Sequence, residues 1–230
     1  MISSRKLLTA VFLFLMSTLT VSARADVLLV ENGAPIATIY LPAPQPGGAT
    51  ATPPHLGIAA KELNYHLQKM SGAKLEVRHA DDANAITGPA IVLGELARQL
   101  GAEPQKSGVS QEGFRLLTKK DQLLIGGQSD QAVLHGVYEV LERLGCEWIM
   151  PGAIGEIIPR RSTVAVPAMD ESQVPDFLMR NLWYGGGQSY NGEKSLADFE
   201  VWNRRQKKGD YDSAPLQTAG HAWEWLVPKY

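Results

Sequence analysis

Cysteine is almost absent from this 230-residue chain, and its scarcity excludes two common ways of holding a small domain together. The single cysteine, Cys146, cannot form a disulfide within the chain, and it cannot make a metal site of cysteines. It follows Gly145 and precedes Trp148 in an apolar stretch, which favours a small buried hydrophobe over a reactive thiol. The fold must therefore be held together by its hydrophobic core.

A strong charge of either sign is also missing. The chain has 22 basic and 24 acidic side chains, for a formal net charge of −2. This balance does not indicate a nucleic-acid partner, which would favour a basic surface. The one dense basic run, RRQKK at 204–208, is interpreted as a solvated face of a helix.

Long apolar runs are absent beyond the first residues. Arg5 and Lys6 precede the apolar run Leu7–Leu19, and ARA at 23–25 is a small-x-small cleavage site. The pattern predicts a signal peptide over 1–25 and an exported protein, periplasmic or extracellular. Since the run is short for a bilayer and no later segment approaches a span, no integral membrane segment is expected after cleavage.

Motifs for cofactors, metals and nucleophiles are missing too. The glycines at 126–127 lead into a helix but match neither the dinucleotide-binding nor the P-loop pattern, so a structural turn is expected there. The histidines include no H-E-x-x-H, and no serine lies in a G-x-S-x-G elbow. The sequence therefore predicts no cofactor and no metal.

What is present is an ordered series of strands and helices over 26–166. Asn32-Gly33 lies between two β-rich runs and predicts a hairpin, and a second hairpin is predicted around 119–122. Apolar residues recur at helical spacing over about 56–71 and again after Ser129, a good N-cap. Gly136, on the apolar side of the second helix, would let it lie close to a sheet. The pattern predicts an α/β (α+β) domain, a mostly antiparallel sheet with two main helices on one face.

The composition changes after this domain. Polar residues between prolines at 167–175 indicate a linker, and Phe177–Trp183 then indicates a new apolar strand. Ser195 and Asp198 resemble a capping box for a following helix. Alternating strand and helix predict the start of a parallel sheet over 176–230. Such an open start cannot bury both its faces, so the chain is expected to be the N-terminal part of a longer protein.

Aromatic side chains are concentrated in this last part. Trp183, Trp202, Trp223 and Trp225 all fall there, and flat rings suit the apolar C–H faces of sugars. The helical spacing of Trp202 favours a packing role. Trp183 and His221 follow apolar strands, where barrels place their sites. No pair of carboxylates is singled out by spacing, so the catalytic residues stay unknown.

Several segments together resemble a known accessory domain. It precedes the catalytic barrel in family 67 α-glucuronidases, and a similar one occurs in family 20 β-N-acetylhexosaminidases and in uncharacterised secreted bacterial proteins. The segments are AAKELNYHLQKMSGAKLEV (59–77), AIVLGE (90–95), EGFRLLTKKDQLLIGGQSDQAVLHGVYEVLERLGCEWIMPG (112–152) and GEIIPR (155–160).

The resemblance also implies candidate substrate-binding residues. PDFLMRNLWYGG (175–186) is similar to the first barrel strand of those enzymes. The resemblance implies that 176–230 holds the first units of an incomplete (β/α)8 TIM barrel, and that Arg180, Asn181 and Trp183 contact the sugar. GHAWEWLVPKY (220–230) implies the same for His221. The α-glucuronidases usually carry N-H-W-D-N where this chain has NLWYG at 181–185, so the resemblance does not extend to specificity for glucuronic acid.

The expected function is that of the N-terminal part of a secreted glycoside hydrolase acting on O-glycosidic bonds, with a carbohydrate as substrate. The catalytic carboxylates are expected outside this chain, so the fragment alone is expected to be inactive. The alternative is a non-catalytic carbohydrate-binding or surface protein-interaction module. The sugar, the stereochemical outcome and the oligomeric state do not follow from the sequence.

Overall fold

The computed structural model describes residues 26–44, 54–106, 110–177, 180 and 187–208, with only the backbone for 187–195. The predicted signal peptide over 1–25 lies outside these ranges. The strands within them are β1 Val27–Glu31, β2 Ala34–Pro35, β3 Thr38–Pro42, β4 Val77–Ala80, β5 Ala90–Leu93, β6 Phe114–Lys119, β7 Gln122–Gly127, β8 Glu147–Trp148, β9 Glu156–Ile157, β10 Val164–Val166 and β11 Asp170–Gln173. The helices are α1 Pro54–Ser71, α2 Glu95–Gln99, α3 Asp130–Arg143 and α4 Gly187–Arg205. None of these helices is both long and apolar enough to cross a membrane.

The central sheet is mixed. Among the described residues its strand order is β11-β6-β7-β5-β3-β4. The β4-β3, β3-β5 and β5-β7 pairs are parallel, whereas β7-β6 and β6-β11 are antiparallel. The prediction of a mostly antiparallel sheet is therefore wrong for this central sheet. The reason is visible in AIVL of β5 and LLIGG of β7, where every residue is buried, as in interior parallel strands covered on both faces.

The first predicted hairpin is confirmed only at its turn. Asn32 and Gly33 both have positive φ, 50° and 80°, as a two-residue hairpin turn requires. Only β2 returns along β1, and it stops at Pro35, which has no N–H to continue a ladder. The chain then crosses to the central sheet, where β3 lies parallel to β4 and β5. The second predicted hairpin, β6–β7, forms as expected.

The two long helices share one face of the central sheet, as predicted. α1 and α3 pack against each other, and α3 also packs on β6 and β7. Strand residues such as Ile39, Ile91 and Leu123 join this core. Their sequence neighbours Tyr40 and Val92 point the other way and form a second, smaller core with α2. The sheet is thus covered on both faces, by long helices on one and a short helix on the other.

Close contact between α3 and the sheet depends on Gly136. A Cβ added there would lie 2.7 Å from Cγ2 of Ile125, inside van der Waals contact. The helix begins as predicted, since the Ser129 side chain accepts a hydrogen bond from the Ala132 N–H at 3.2 Å. It ends before Gly145, which has a φ of +86°.

The segment after Val166 differs from its predicted linker role. Asp170–Gln173 forms the edge strand β11, paired with β6. The following helix α4 begins at Gly187, so Ser195 and Asp198 lie within it rather than at its start. The predicted strand Phe177–Trp183 lies mostly outside the described residues. These findings extend the first folded unit to Gln173, and they leave the predicted barrel as a prediction.

Candidate functional site

The end of α4 lies on the α1/α3 side of the first folded unit, and the contact is made largely by opposite charges. The acidic partners are Glu62 on α1, Glu139 and Glu142 on α3, Glu156 on β9, and Glu112. The basic partners are Arg180, Arg204, Arg205 and Lys207. We call these residues the docking interface. The basic run at 204–208 was predicted to face solvent, and this prediction is wrong for Arg204, Arg205 and Lys207.

Arg205 is the most buried cation of the docking interface. Its Nε donates to Oε2 of Glu62 at 3.0 Å, and its Nη1 donates to Oε1 of Glu156 at 2.6 Å. The side chain of Arg205 is only 9% exposed. A guanidinium removed from water to this extent is tolerated only with such partners. The two carboxylates therefore fix the position of the C-terminal end of α4.

Glu156 joins three elements. Its carboxylate accepts hydrogen bonds from the Tyr65 hydroxyl at 2.6 Å and from Lys69 Nζ at 2.7 Å, both on α1, as well as from Arg205. Burial works to raise the pKa of this carboxyl, but the hydrogen bonds from Lys69, Tyr65 and Arg205 outweigh it and lower the pKa to about 2. Glu156 is consequently an anion over the physiological pH range.

Lys207, two residues beyond the end of α4, forms a second set of ion pairs, with two glutamates of α3. Its Nζ lies 2.7 Å from Oε2 of Glu139 and 2.5 Å from Oε2 of Glu142. Burial opposes ionisation of Glu139, but hydrogen bonds from Lys207 and Arg143 bring its pKa below the ordinary value. This group holds the chain leaving α4 against α3.

Arg180 is the predicted substrate-binding residue that the structure describes. Its Nη2 lies 2.9 Å from Oε2 of Glu112, which also accepts from the Ser110 hydroxyl at 2.8 Å. Its Nη1 donates to the Phe177 carbonyl at 2.8 Å. These contacts place Arg180 in the docking interface, and its role toward a sugar stays a prediction. The other three candidates, Asn181, Trp183 and His221, lie outside the described residues.

His66 and Trp148 form a buried pair beneath the docking interface. Trp148 Nε1 donates to His66 Nε2 at 3.2 Å, so the ring proton is on Nδ1, which lies 2.8 Å from the Glu62 carbonyl. Burial lowers the pKa of His66, although Glu62 opposes the change. The neutral imidazole is thus a packing and hydrogen-bonding group.

A cavity of about 210 Å³ lies among α1, the loop between β8 and β9, and α4. Its lining includes the side chains of Tyr65, Trp148, Glu156, Asp198, Trp202 and Arg205, together with Met150 of the loop. The Trp202 indole N–H donates to the Trp148 carbonyl at 2.7 Å, which fixes one wall. The cavity therefore combines aromatic surface with carboxylates, and it exists only where α4 meets the first unit.

Two carboxylates of this region, those of Glu62 and Glu156, are both paired with Arg205. Glycosidases generally need a carboxylic acid that stays protonated beside a second, ionised carboxylate. Glu156 is held ionised by cations, and Glu62 is paired with Arg205, so these two do not form such a pair. In the part of the chain that the structure describes, no three His, Cys, Asp or Glu side chains are grouped as a metal site would require.

Comparison with known proteins finds a similarity in the first folded unit. Residues 42–140 match the family model described as the N-terminus of glycosyl hydrolase family 67. The predicted resemblance to this family is confirmed. No curated protein matches the chain. Among solved structures, a family GH115 4-O-methyl-α-glucuronidase with specificity for decorated arabinogalactans is similar, with a TM-score of 0.48 and 20% identity over 65% of this chain. The match spans 18% of that enzyme chain.

The sequence analysis missed the docking interface because its partners are far apart along the chain. Glu62 and Arg205 are separated by 143 positions, and no local spacing connects them. One signal was present: Glu139 and Glu142 lie three residues apart on one side of α3, and Arg204, Arg205 and Lys207 follow one another closely. Opposite charge clusters in neighbouring units would have suggested a contact without giving its geometry.

Proposed function

We propose that this chain is the N-terminal part of a secreted glycoside hydrolase that acts on O-glycosidic bonds in carbohydrates. The observation that carries the proposal is the match of residues 42–140 to the N-terminus of glycosyl hydrolase family 67. The apolar run after Arg5 and Lys6, with its small-x-small site, supports export to the periplasm or outside the cell. The catalytic unit is proposed to start after the first folded unit and to continue as a TIM barrel.

In this proposal the first unit is a brace rather than a catalyst. Its carboxylates at the docking interface already form ion pairs with Arg180, Arg205 and Lys207. Through these pairs it would hold the segment that leads into the catalytic unit. A fixed starting position matters because displacements of about 1 Å can reduce catalytic rates about a hundredfold.

Sugar recognition is assigned to residues at the start of the catalytic unit. Arg180 and His221 would hold hydroxyls or a carboxylate of the substrate, Asn181 would add a hydrogen bond, and Trp183 would pack against the sugar ring. The bond-breaking carboxylates would come from later barrel strands. Arg180 would serve both parts, since its guanidinium already contacts Glu112 of the first unit.

The proposal is tested with the protein encoded by the complete reading frame. It should hydrolyse at least one member of a panel of aryl glycosides and polysaccharides, whereas the 230-residue chain alone should hydrolyse none. His221→Ala should raise KM for that substrate. Arg78→Ala, which removes one side of an exposed ion pair with Glu76, should leave turnover unchanged. Lack of turnover by the complete protein, or full activity of the chain alone, would contradict the proposal.

One observation favours a protein-interaction module as the second candidate. The loop around β8 and β9 exposes large apolar side chains, with Ile149 60%, Met150 47% and Ile154 85% exposed. Contiguous exposed apolar residues are typical of contact surfaces. A complete protein that hydrolyses no substrate but forms a stable complex through this loop would support the second candidate.

A further inference from the structure

We infer that the cavity among α1, the β8–β9 loop and α4 is a binding site for a neutral pyranose sugar. This site belongs to the first folded unit and its contact with α4. The inference does not require that the protein hydrolyse anything. It rests on the composition of the cavity walls, on how their polar groups are held and on their charge.

The walls offer the two kinds of surface that a sugar ring needs. Tyr65, Trp148 and Trp202 supply aromatic surface, against which the C–H faces of a pyranose can pack. Glu156 and Asp198 supply carboxylate oxygens that can accept hydrogen bonds from hydroxyl groups. An apolar wall with a few fixed polar groups is the usual construction of a small-molecule site.

The size of the cavity selects a small ligand. At about 210 Å³ it is smaller than the roughly 300–1,000 Å³ of sites for drug-sized molecules. A single sugar ring suits this space better than an oligosaccharide. Gly152 contributes to the shape, because a Cβ at this position would lie 3.2 Å from Oδ2 of Asp198. Glycine, with a φ of +84°, lets the turn approach that carboxylate.

The polar groups are held in place before any ligand arrives. The Tyr65 hydroxyl is hydrogen-bonded to Glu156 and also accepts from Lys69. The Trp202 indole is fixed by its bond to the Trp148 carbonyl at 2.7 Å. Side chains that are already ordered lose little entropy when a ligand binds, which favours affinity in a small site.

The charge of the walls selects a neutral ligand over an acidic one. Arg205 is itself one of the lining residues, but its charge is offset by Glu62 at 3.0 Å and Glu156 at 2.6 Å. Asp198 adds a further carboxylate to the lining. A uronic acid would place its own carboxylate beside those of Glu156 and Asp198, and like charges at close range disfavour binding. Neutral hexoses and pentoses are therefore the expected ligands.

Binding is measured by NMR on the isotope-labelled 230-residue chain, titrated with glucose, galactose, xylose, arabinose and glucuronate. At least one neutral sugar should shift the amide signals of Gly152 and Ala153 saturably, with a Kd in the millimolar range. Glucuronate should bind at least about tenfold more weakly than that sugar. Tighter binding of glucuronate would overturn the assigned ligand class.

Filling the cavity should abolish the effect. Val201→Phe adds a ring to the lining from α4, and Met150→Trp adds one from the β8–β9 loop, so either variant tests the site if the other fails to fold. Both should weaken sugar binding at least about tenfold. Ile36→Phe, which adds a ring at a partly exposed position near β2, should leave it unchanged. Absence of saturable binding by every neutral sugar, or unchanged binding in both filled variants, would overturn the inference.

Discussion

His135 shows at the scale of a single residue how burial makes this protein sensitive to acid. The side chain lies on α3 and the residue is only 3% exposed. Burial lowers the pKa of His135 to about 4, with Arg180, Lys207 and His55 acting in the same direction and Glu112 opposing them. The imidazole is therefore neutral in the folded protein throughout the mildly acidic range.

The first prediction is that stability falls as the pH is lowered from 6.5 to 4. In this window the unfolded chain, with an ordinary histidine pKa of 6.5, binds a proton that folded His135 does not bind. The unfolded state is then favoured, by up to about 3 kcal/mol at the lower limit. The free energy of unfolding, measured by urea denaturation at several pH values, should decline across the window and decline less steeply in His135→Gln.

The control for this prediction is Gln68→Asn on α1, which changes an exposed side chain without an ionisable group and should keep the slope of the unmodified protein. His66, whose pKa is also lowered by burial, should leave a residual slope in the His135 variant. Glu156 acts in a lower range, because its stabilising ionisation is lost only as the pH falls below about 4.5 toward 2. An equal slope in His135→Gln and the unmodified protein would contradict the assignment.

At the scale of the element, α1 and α3 differ in how closely they approach their neighbours. Both contain an internal glycine, which by itself lowers helix stability. At Gly57 of α1 an added Cβ would meet nothing within 4 Å, whereas at Gly136 of α3 it would lie 2.7 Å from Ile125. The same residue type is thus dispensable in one helix and required in the other.

The second prediction uses this matched pair. Gly57→Ala should stabilise the fold by about 0.4–1 kcal/mol, because alanine restricts the unfolded chain and fits the helix. Gly136→Ala should destabilise it by about 1–3 kcal/mol, because the methyl group pushes α3 away from β6 and β7. Thermal denaturation of both variants provides the comparison. If both variants change the stability in the same direction, helix propensity, and not the distance between the helix and the sheet, decides the effect of the substitution.

Elements that are encoded locally could be predicted from the sequence. Ser129, Gly136 and Gly145 specify the start, the inner face and the end of α3 within a few residues, and the structure confirms all three. The β6–β7 hairpin was predictable for the same reason, since its strands adjoin the turn at 120–121.

Elements whose partners are distant could not be predicted in the same way. The run containing β3 reads as half of a hairpin, but it pairs in parallel with β4 and β5, which follow much later. A parallel partner needs a crossover connection, and no local signal specifies it. The edge strand β11 reads as a linker because DESQ is polar; at an edge, such residues face water and protect against further pairing.

The candidate site shows the same division. Arg180 was named as a candidate residue because the segment 175–186 resembles a barrel strand. Its contact with Glu112 could not be predicted, because the two residues are 68 positions apart. Trp202 was expected in packing, and it does contact the core while also lining the cavity. The cavity itself was not predictable, because its walls come from three elements that meet only through long-range packing.

At the scale of the whole molecule, charge complementarity orients α4 on the first unit. Surface ion pairs contribute little individually, but those of the docking interface are partly buried and share partners. Arg205 and Lys207 pair with different elements, Arg205 with α1 and β9 and Lys207 with α3. Two separated anchors fix the direction of the chain, which one pair alone would not do.

The final prediction concerns the Lys207 anchor. Lys207→Glu places a third anion beside Glu139 and Glu142. Hydrogen exchange of the backbone amides at 196–206 should therefore accelerate by about tenfold or more. A tenfold change corresponds to a loss of about 1.4 kcal/mol in the free energy of local opening. Adding Glu139→Lys restores an opposite pair and should recover part of the protection. Arg78→Glu, beside the exposed Glu76, reverses a charge away from α4 and should not change its exchange. Glu139→Lys lies on α3, so recovery of protection in the double variant would show that residues 139 and 207 interact. If the double variant recovers no protection, packing of Trp202 rather than charge holds α4 in place.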